Sequence, residues 1–335
     1  MWKHSRNTGI GTTRRHVLQA GLGLAAASAL PARAQPADWP TKVVKVIVPF
    51  APGSYTENTA RLVAAKLQSQ TGRPIIVETR PGAGSTIGTA AVAKSDGDGH
   101  TLLFIDNSFP AAAALYKDLP FDPLRDIVQL TPVVEAPSMI YVRPDFPADT
   151  LAQLVRYARD NPDKVNYGSG GIGSSGHLAI ARFAEETGIR MTHVPYGGVA
   201  AALNDLLAGR TDLGLSTAAG VAQYIKAGRL KGLAITGAQR HPQLSSIPTF
   251  AEGGYPDYDM TYLFGFMGPA SMPGALTEAI HDALVRAASS EDVIEKLNVL
   301  PVYPLTLSTT QYRDRVRREY EIWRRVVQHA NITPT

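Results

Sequence analysis

The sequence predicts an α/β protein of two lobes, and three observations predict it. Short apolar runs rich in β-branched residues alternate with segments of helical period. Glycine-containing turns separate several strands from the helices that follow, and the whole pattern occurs twice along the chain. Such alternation produces a mainly parallel sheet flanked by helices in each lobe.

In the first block, Val43–Phe50 (VVKVIVPF) is a buried strand and Ala51-Pro52-Gly53-Ser54 a turn. A helix follows from about Thr56 to Gln70, with Ala60, Val63, Ala64 and Leu67 on one face and Gly72 as its stop. Ile75-Ile76-Val77 is the next strand and Pro81-Gly82-Ala83-Gly84 the next turn. Ser85 or Thr86 is placed to cap a helix running through Lys94. Thr101–Ile105 (TLLFI) is the third strand. Asp96-Gly97-Asp98-Gly99 before it lacks the rest of an EF-hand pattern and reads as a turn.

The second block has strands at Met139–Val142 and Val165-Asn166-Tyr167, with a helix at Leu151–Arg159 between them. The glycine-rich run Gly168–Gly176 leads into a helix that starts at Ser174 or Ser175 and ends at Gly188. Met191–Val194, Leu213-Gly214-Leu215 and Leu233-Ala234-Ile235 are further strands, and Val199–Ala208 a helix. After Tyr262–Met267 the pattern is helical again. Tyr312, Val316, Tyr320, Trp323 and Val327 form one apolar stripe, which is expected to pack in the core. Crossovers near Thr131–Ala136 and Thr261–Gly268 assign residues 35–136 and 262–335 to a discontinuous first lobe and 137–261 to the second.

Composition narrows the function. The chain has 335 residues, 33 Lys+Arg against 29 Asp+Glu, and no cysteine. A disulfide framework, a thiol nucleophile and thiolate metal sites are therefore excluded. The pI near 9.2 would point to nucleic acid or an anionic membrane if the charge were spread along the chain. Instead, Lys3, Arg6, Arg14, Arg15 and Arg33 lie in residues 1–34, which hold no acid. An apolar run from Gln19 to Leu30, too short to span a bilayer, precedes Ala32-Arg33-Ala34. This order reads as a cleavable export signal, with cleavage near Ala34 and delivery to the periplasm. Thr13-Arg14-Arg15-His16-Val17-Leu18-Gln19 resembles a twin-arginine signal, with the general secretory route as the alternative. The mature chain keeps 28 basic and 29 acidic residues, a net charge of −1. It is expected to be a monomer, not membrane-embedded, with no nucleic acid partner.

The chemistry sits in the turns. Gly168-Ser169-Gly170-Gly171-Ile172-Gly173 satisfies G-x-G-x-x-G, but Thr192-His193-Val194 stands where a ribose-binding acid belongs. What remains is an anion site made of glycine-turn N–H groups and a helix start. The same device recurs at Gly53-Ser54-Tyr55-Thr56 and Gly82-Ala83-Gly84-Ser85-Thr86, and at Gly173-Ser174-Ser175. In parallel sheets these turns lie at the carboxyl ends of strands, where ligands bind. Converging, they would line a cleft with hydroxyls and backbone donors, suited to a small organic acid. Catalysis has little support. No G-x-S-x-G elbow occurs, Ser175 and His177 cannot face each other at i,i+2, and no histidine pair has ligand spacing. His177 is expected to pack at the helix start.

A set of motifs runs in order over residues 39–331. They are Trp39-Pro40, Val48-Pro49-Phe50-Ala51-Pro52-Gly53, Arg80-Pro81-Gly82-Ala83-Gly84 with Thr86-Ile87-Gly88, and Asp98-Gly99-His100-Thr101-Leu102-Leu103. Asn166-Tyr167-Gly168-Ser169, Gly173-Ser174-Ser175 with His177-Leu178, His193-Val194-Pro195-Tyr196 and Ile225-Lys226-Ala227-Gly228 complete them. In order and spacing these motifs resemble the Bug-type extracytoplasmic solute receptors of tripartite tricarboxylate transporters. The resemblance implies a two-lobed periplasmic-binding-protein (Venus flytrap) fold. It implies closure on a carboxylate held partly through ordered water, and docking on inner-membrane transporter subunits. Neither cofactor nor metal is implied. On this resemblance the ligand contacts fall to Ser54, Tyr55 and Thr56, to Ala83, Gly84 and Ser85, and to Ser169, Ser174 and Ser175. Tyr196 and Ser216-Thr217 are added on the same basis.

The chain also departs from the family pattern. Ser54 and Tyr55 stand at glycine positions of the first loop, and Glu57 where an Asp is common. Gly197 replaces a frequent Lys and Ser216 a frequent acid. Tyr55 is expected to fill part of the cleft or stack on a ligand. Two missing charges incline the reading toward a less charged monocarboxylate, aromatic ones included. The alternatives are a sensor receptor that signals carboxylate availability and, from another class, a periplasmic hydrolase or oxidoreductase.

Overall fold

A computed structural model describes residues 39–329 together with 1, 2, 4 and 332. The expected export segment lies almost wholly outside the described residues. The chain divides into Met1–Ala37 and Asp38–Thr335, and every element named below belongs to the second unit.

The chain begins with β1 (Val44–Val48), α1 (Tyr55–Thr71), β2 (Ile75–Thr79), α2 (Thr86–Ala93), β3 (Thr101–Ile105), α3 (Ser108–Leu115) and β4 (Ile127–Ala136). It continues with β5 (Ser138–Val142), α4 (Leu151–Asp160), β6 (Asn166–Ser169), α5 (Ser175–Thr187), β7 (Thr192–Pro195), α6 (Val199–Leu207), β8 (Leu213–Thr217), α7 (Ala218–Lys226) and β9 (Lys231–Ile235). The last elements are β10 (Tyr262–Pro269), α8 (Gly274–Ala288), α9 (Glu291–Leu297), β11 (Tyr303–Pro304) and α10 (Thr309–His329).

Two sheets result, ordered β11-β4-β10-β3-β1-β2 and β7-β6-β8-β5-β9. The chain leaves the first after Ala136 and re-enters it at Tyr262. The two-lobed α/β fold is thus present, but the sheets are mixed rather than mainly parallel. Only β2-β1-β3 and β7-β6-β8 run parallel, while β4, β5, β9, β10 and β11 pair antiparallel. The reason is connectivity. Helical crossovers join the parallel strands, whereas β4, β5 and β10 flank the passages between sheets and run back along their neighbours.

Both faces of each sheet are covered. Val44, Val46 and Val48 pack with Ala60, Val63, Ala64 and Leu67 of α1, while Ile47 points the other way, toward Val92, Tyr312 and Val316. Period-two alternation therefore serves two cores, so apolar residues stand at both odd and even positions of the strand, and Lys45 alone within it is exposed. Each such side chain, fully buried, contributes about 1.5–3 kcal/mol. Helix α1 ends at Gly72, whose φ of 67° is left-handed and whose N–H reaches Gln68 O at 2.9 Å.

Of the expected α10 stripe, Tyr312, Val316 and Trp323 are buried, though in two cores; Val327 packs half-buried against the second, and Tyr320 is half-buried and belongs to neither. Tyr312 and Val316 join the cluster on the first sheet, and Trp323 and Val326 join that of the second. A helix of 21 residues, about 30 Å long, is long enough to reach both. The crossing segments are tied beside it. Asn107 donates its amide to Thr261 O at 3.0 Å and accepts the Leu263 N–H at 2.7 Å. Thr236 Oγ1 accepts the Ser138 N–H at 2.9 Å and the Thr261 hydroxyl at 3.1 Å.

Candidate functional site

Parallel pairing of β2, β1 and β3 brings three strand-to-helix turns to one edge of the first sheet: residues 49–54, 80–85 and 106–107. Parallel pairing of β7, β6 and β8 does the same for residues 170–174, 196–198 and the β8–α7 junction. The two edges meet. Ser108 Oγ lies 3.5 Å from Ser175 Oγ, and the Tyr262 hydroxyl lies beside the Ser175 side chain. Gly173 (φ 78°) abuts α3 so closely that a Cβ there would stand 2.2 Å from Leu115 Cδ2. The left-handed φ disfavours any other residue here, and a side chain would also have to displace the end of Leu115.

The twelve expected residues divide by what their polar atoms already do. Ser54 caps α1, its Oγ accepting the Glu57 N–H at 3.2 Å. Glu57 completes the cap, taking the Gly53 N–H at 2.6 Å and the Arg61 guanidinium at 2.6 and 2.8 Å. The Gly53 N–H, then Arg61, hold its carboxyl below the usual range. Ser174 caps α5 by accepting the His177 N–H at 3.3 Å, and Thr217 caps α7 by accepting the Gly220 N–H at 3.3 Å. Tyr196 donates its hydroxyl to Asp205 Oδ2 at 2.8 Å, and Ser216 Oγ lies 3.1 Å from the Tyr141 hydroxyl. These groups shape the turns and are partly spent on doing so.

Others keep capacity. Thr56 is buried in the first turn of α1. Tyr55 sets its ring edge-on against Phe264, centroids 5.0 Å apart, and burial pushes its phenol up to about 12. Its hydroxyl oxygen is buried without a hydrogen-bond partner. Ala83, Gly84 and Ser85 form a tight turn with three successive left-handed φ values, 44°, 57° and 79°. Ser85 occupies the N-cap position of α2 but, contrary to expectation, makes no capping bond. In its left-handed conformation the side chain does not take up the cap bond that an extended N-cap residue makes.

Ser169 ends β6. Its Oγ accepts the Gly171 N–H at 3.1 Å and lies 2.6 Å from His193 Nε2. Tyr167, His193 and His177 stack below this turn, the two imidazoles 3.8 Å apart and nearly parallel. His177 Nδ1 accepts the Gly173 N–H at 3.1 Å, which places it at the helix start as expected. Burial, then the charge of His193, pushes His177 down to about 3, and burial pushes His193 down to about 4. In the unfolded chain both titrate near 6.5. Below pH about 6.5 the unfolded state therefore takes up protons that the folded state refuses. The stability the neutral pair contributes is full above that pH and is lost as pH falls toward about 3. We expect the denaturation midpoint to fall from pH 7 to pH 4, and to fall less steeply in a His177→Gln/His193→Gln variant. Equal slopes for both proteins would contradict the neutral stack.

Two groups at the junction escape a sequence search keyed on glycine turns. Asp106-Asn107-Ser108 follows β3 with no glycine at all, and Tyr262 lies inside an apolar strand. Asp106 accepts the Ser108 N–H at 2.9 Å, and burial pushes its carboxyl up. The available signal was the polar trio directly after TLLFI, a fourth strand-turn-helix start.

The twelve residues include no Lys, Arg, Asp or Glu. What the edges present are hydroxyls and the first N–H groups of α1, α2, α3 and α5, partial positive charges suited to an anion. Among the described residues, no group of three or more His, Asp or Glu is placed to hold a metal, and no helix is long and apolar enough to cross a membrane. A separate cavity of about 460 Å³ lies between α10 and the segment before β10. It shares none of the twelve residues and is lined by Glu135, Arg182, Asp259, Arg315 and Glu319 among others. Arg315 pairs with Glu135 there, and burial pushes Glu319 up to about 8.

Comparison with known proteins shows the family and the fold. A family model described as "Tripartite tricarboxylate transporter family receptor" matches residues 59–332. A UPF0065 protein from the tcbD-tcbE intergenic region of Pseudomonas sp. (strain P51) is 33% identical, over 94% of each chain. The periplasmic binding protein BugD superposes with a TM-score of 0.81 at 30% identity, covering 88% of this chain and 99% of its own. A protein of R. palustris solved with adipate superposes at 0.82 and 31% identity, covering 89% of this chain and 100% of its own.

Proposed function

Because the chain belongs to the tripartite tricarboxylate transporter receptor family, we propose that it captures a small organic carboxylate between its sheet edges and delivers it to an inner-membrane transporter. The observation that carries this reading is the meeting of hydroxyl-rich helix starts from both sheets, where Ser108 faces Ser175, Gly173 abuts α3 and Tyr262 of β10 lies alongside. A carboxylate placed there receives backbone N–H groups that no helix uses internally. Family membership supports binding without turnover, since these proteins are receptors, and BugD supports a periplasmic location.

Lobes of residues 35–136 with 262–335, and of 137–261, would open about the ties at Asn107 and Thr236 and close on the ligand. The ligand would touch Thr56, Ala83, Gly84, Ser85, Ser169 and Ser175. Tyr55 would sort ligands by size from its perch on Phe264. With no fixed charge among these groups, a monocarboxylate, aromatic ones included, suits the cleft better than a tricarboxylate.

A thermal-shift panel of benzoate, adipate, malate and citrate tests the reading. A ligand that binds only the folded state stabilises it by about 2.7 kcal/mol at a hundred times its Kd. We expect at least one acid to raise the melting temperature and to be recovered unchanged, with benzoate ahead of citrate. A response to citrate alone would refute the monocarboxylate preference, and turnover of the bound acid would refute the receptor role. Tyr55→Gly is expected to reorder the panel toward larger acids, and an unchanged order would remove Tyr55 from the site.

A further inference from the structure

We propose that the cavity between α10 and the segment before β10 is a second ligand site, one that takes a small organic cation of the primary alkylammonium class. Its volume of about 460 Å³ is in the range that small molecules occupy, and none of the twelve residues of the sheet edges lines it. Its charges are unevenly paired. Four carboxyl groups and three guanidinium groups line the wall. Arg182 is spent, giving Nε to Glu186 at 2.6 Å and its terminal nitrogens to Asp257 O at 2.9 Å and Asp259 O at 3.2 Å. Arg315 pairs with Glu135, and Arg318 is exposed. Glu319 is left over. Its side chain is only 17% exposed, and it makes no hydrogen bond among the described residues, with Arg315 Nε at 3.7 Å, beyond that reach.

A carboxyl withdrawn from water and left unpaired takes up a proton or a cation. Burial pushes Glu319 up to about 8, Arg315 opposing the rise and Asp259, Glu135 and Asp106 adding to it. Glu319 is therefore the carboxyl that no cation of this chain neutralises. Asp259 stands at the same wall with capacity of its own. Its Oδ1 accepts the Thr261 hydroxyl at 2.6 Å and N–H at 3.1 Å, and its Oδ2 has no partner among the described residues. Trp323 and Met260, both buried, and the half-buried Ile322 give the wall an apolar part. A primary alkylammonium matches both parts. It brings three N–H donors for Glu319 and Asp259 and an alkyl stem for Trp323 and Met260. A carboxylate would meet like charge there, and no group of three or more His, Asp or Glu among the described residues is placed to hold a metal.

The probe is n-butylammonium chloride, titrated into the protein at neutral pH against sodium chloride of equal ionic strength. Calorimetry is expected to show one saturable site in the wild type that neither sodium chloride nor n-butanol reproduces. Glu319→Gln keeps the shape and removes the charge. It is expected to bind the amine at least about tenfold more weakly while melting, without amine, no lower than the wild type. Asp259→Asn lies at an exposed position and keeps an oxygen for Thr261, so it reads the charge dependence even if Glu319→Gln folds poorly. A smaller loss of affinity is expected there. No saturable binding in the wild type, equal binding of n-butanol, or unchanged affinity in either variant would overturn the assignment, whichever acid the sheet edges hold.

Discussion

Replacing Trp323 by alanine is expected to destabilise the protein by about 3–5 kcal/mol, the usual range for removing a fully buried aromatic side chain. Trp323 is 2% exposed and packs with Leu178, Phe183 and other residues of the second sheet's core. The same helix holds Tyr312 and Val316 in the core of the first sheet. The substitution therefore opens a cavity and also loosens the second anchorage of α10. Urea denaturation should show a large fall in midpoint, with the first sheet's signals less affected than the second's. A loss below about 1 kcal/mol would mean that the C-terminal half of α10 is not docked as described.

Asn107→Ala is expected to cost about 2–4 kcal/mol. The amide makes two bonds, to Thr261 O and from Leu263 N–H, and no side chain of alanine could replace either. Each lost bond leaves a backbone group with a desolvation penalty of about 1–3 kcal/mol, and water entering from the neighbouring cavity would relieve part of it. If the lobes open about this tie as proposed, the variant is also expected to bind the panel's best acid more weakly. Calorimetric unfolding and titration of one preparation read both effects. A variant as stable as the wild type would show that these bonds are not formed in solution.

Much of the fold was legible because its strands and turns carry strong local signals. VVKVIV, TLLFI and the glycine stops fixed where elements begin and end, and the two blocks correspond to the two sheets. Strand direction was not legible in full. Nothing in YLFGFMGP states that β10 runs antiparallel between β3 and β4, since that follows from where the chain re-enters the sheet. The α10 stripe gave burial but not partners, because periodicity does not say that one helix serves two cores.

The site was legible at its glycine turns and illegible where chemistry depends on tertiary contact. Ser54, Ser174 and Thr217 are the residue types that both caps and ligand contacts favour, and only the observed bonds to Glu57, His177 and Gly220 show the caps. Tyr196 looked available until Asp205, nine residues on, was seen to take its hydroxyl. Tyr262 reads as one more core aromatic, and only the meeting of the sheets brings it to Ser175. The left-handed backbone at Ala83 and Ser85 has no sequence signature, because neither residue prefers it.

The most direct test is a crystal structure of the protein with the strongest-binding acid of the panel. The carboxylate is expected between the sheet edges, within hydrogen-bond distance of the turns at 53–56, 83–85 and 169–175. Finding the acid instead in the cavity between α10 and the segment before β10, with those turns unoccupied, would contradict the account.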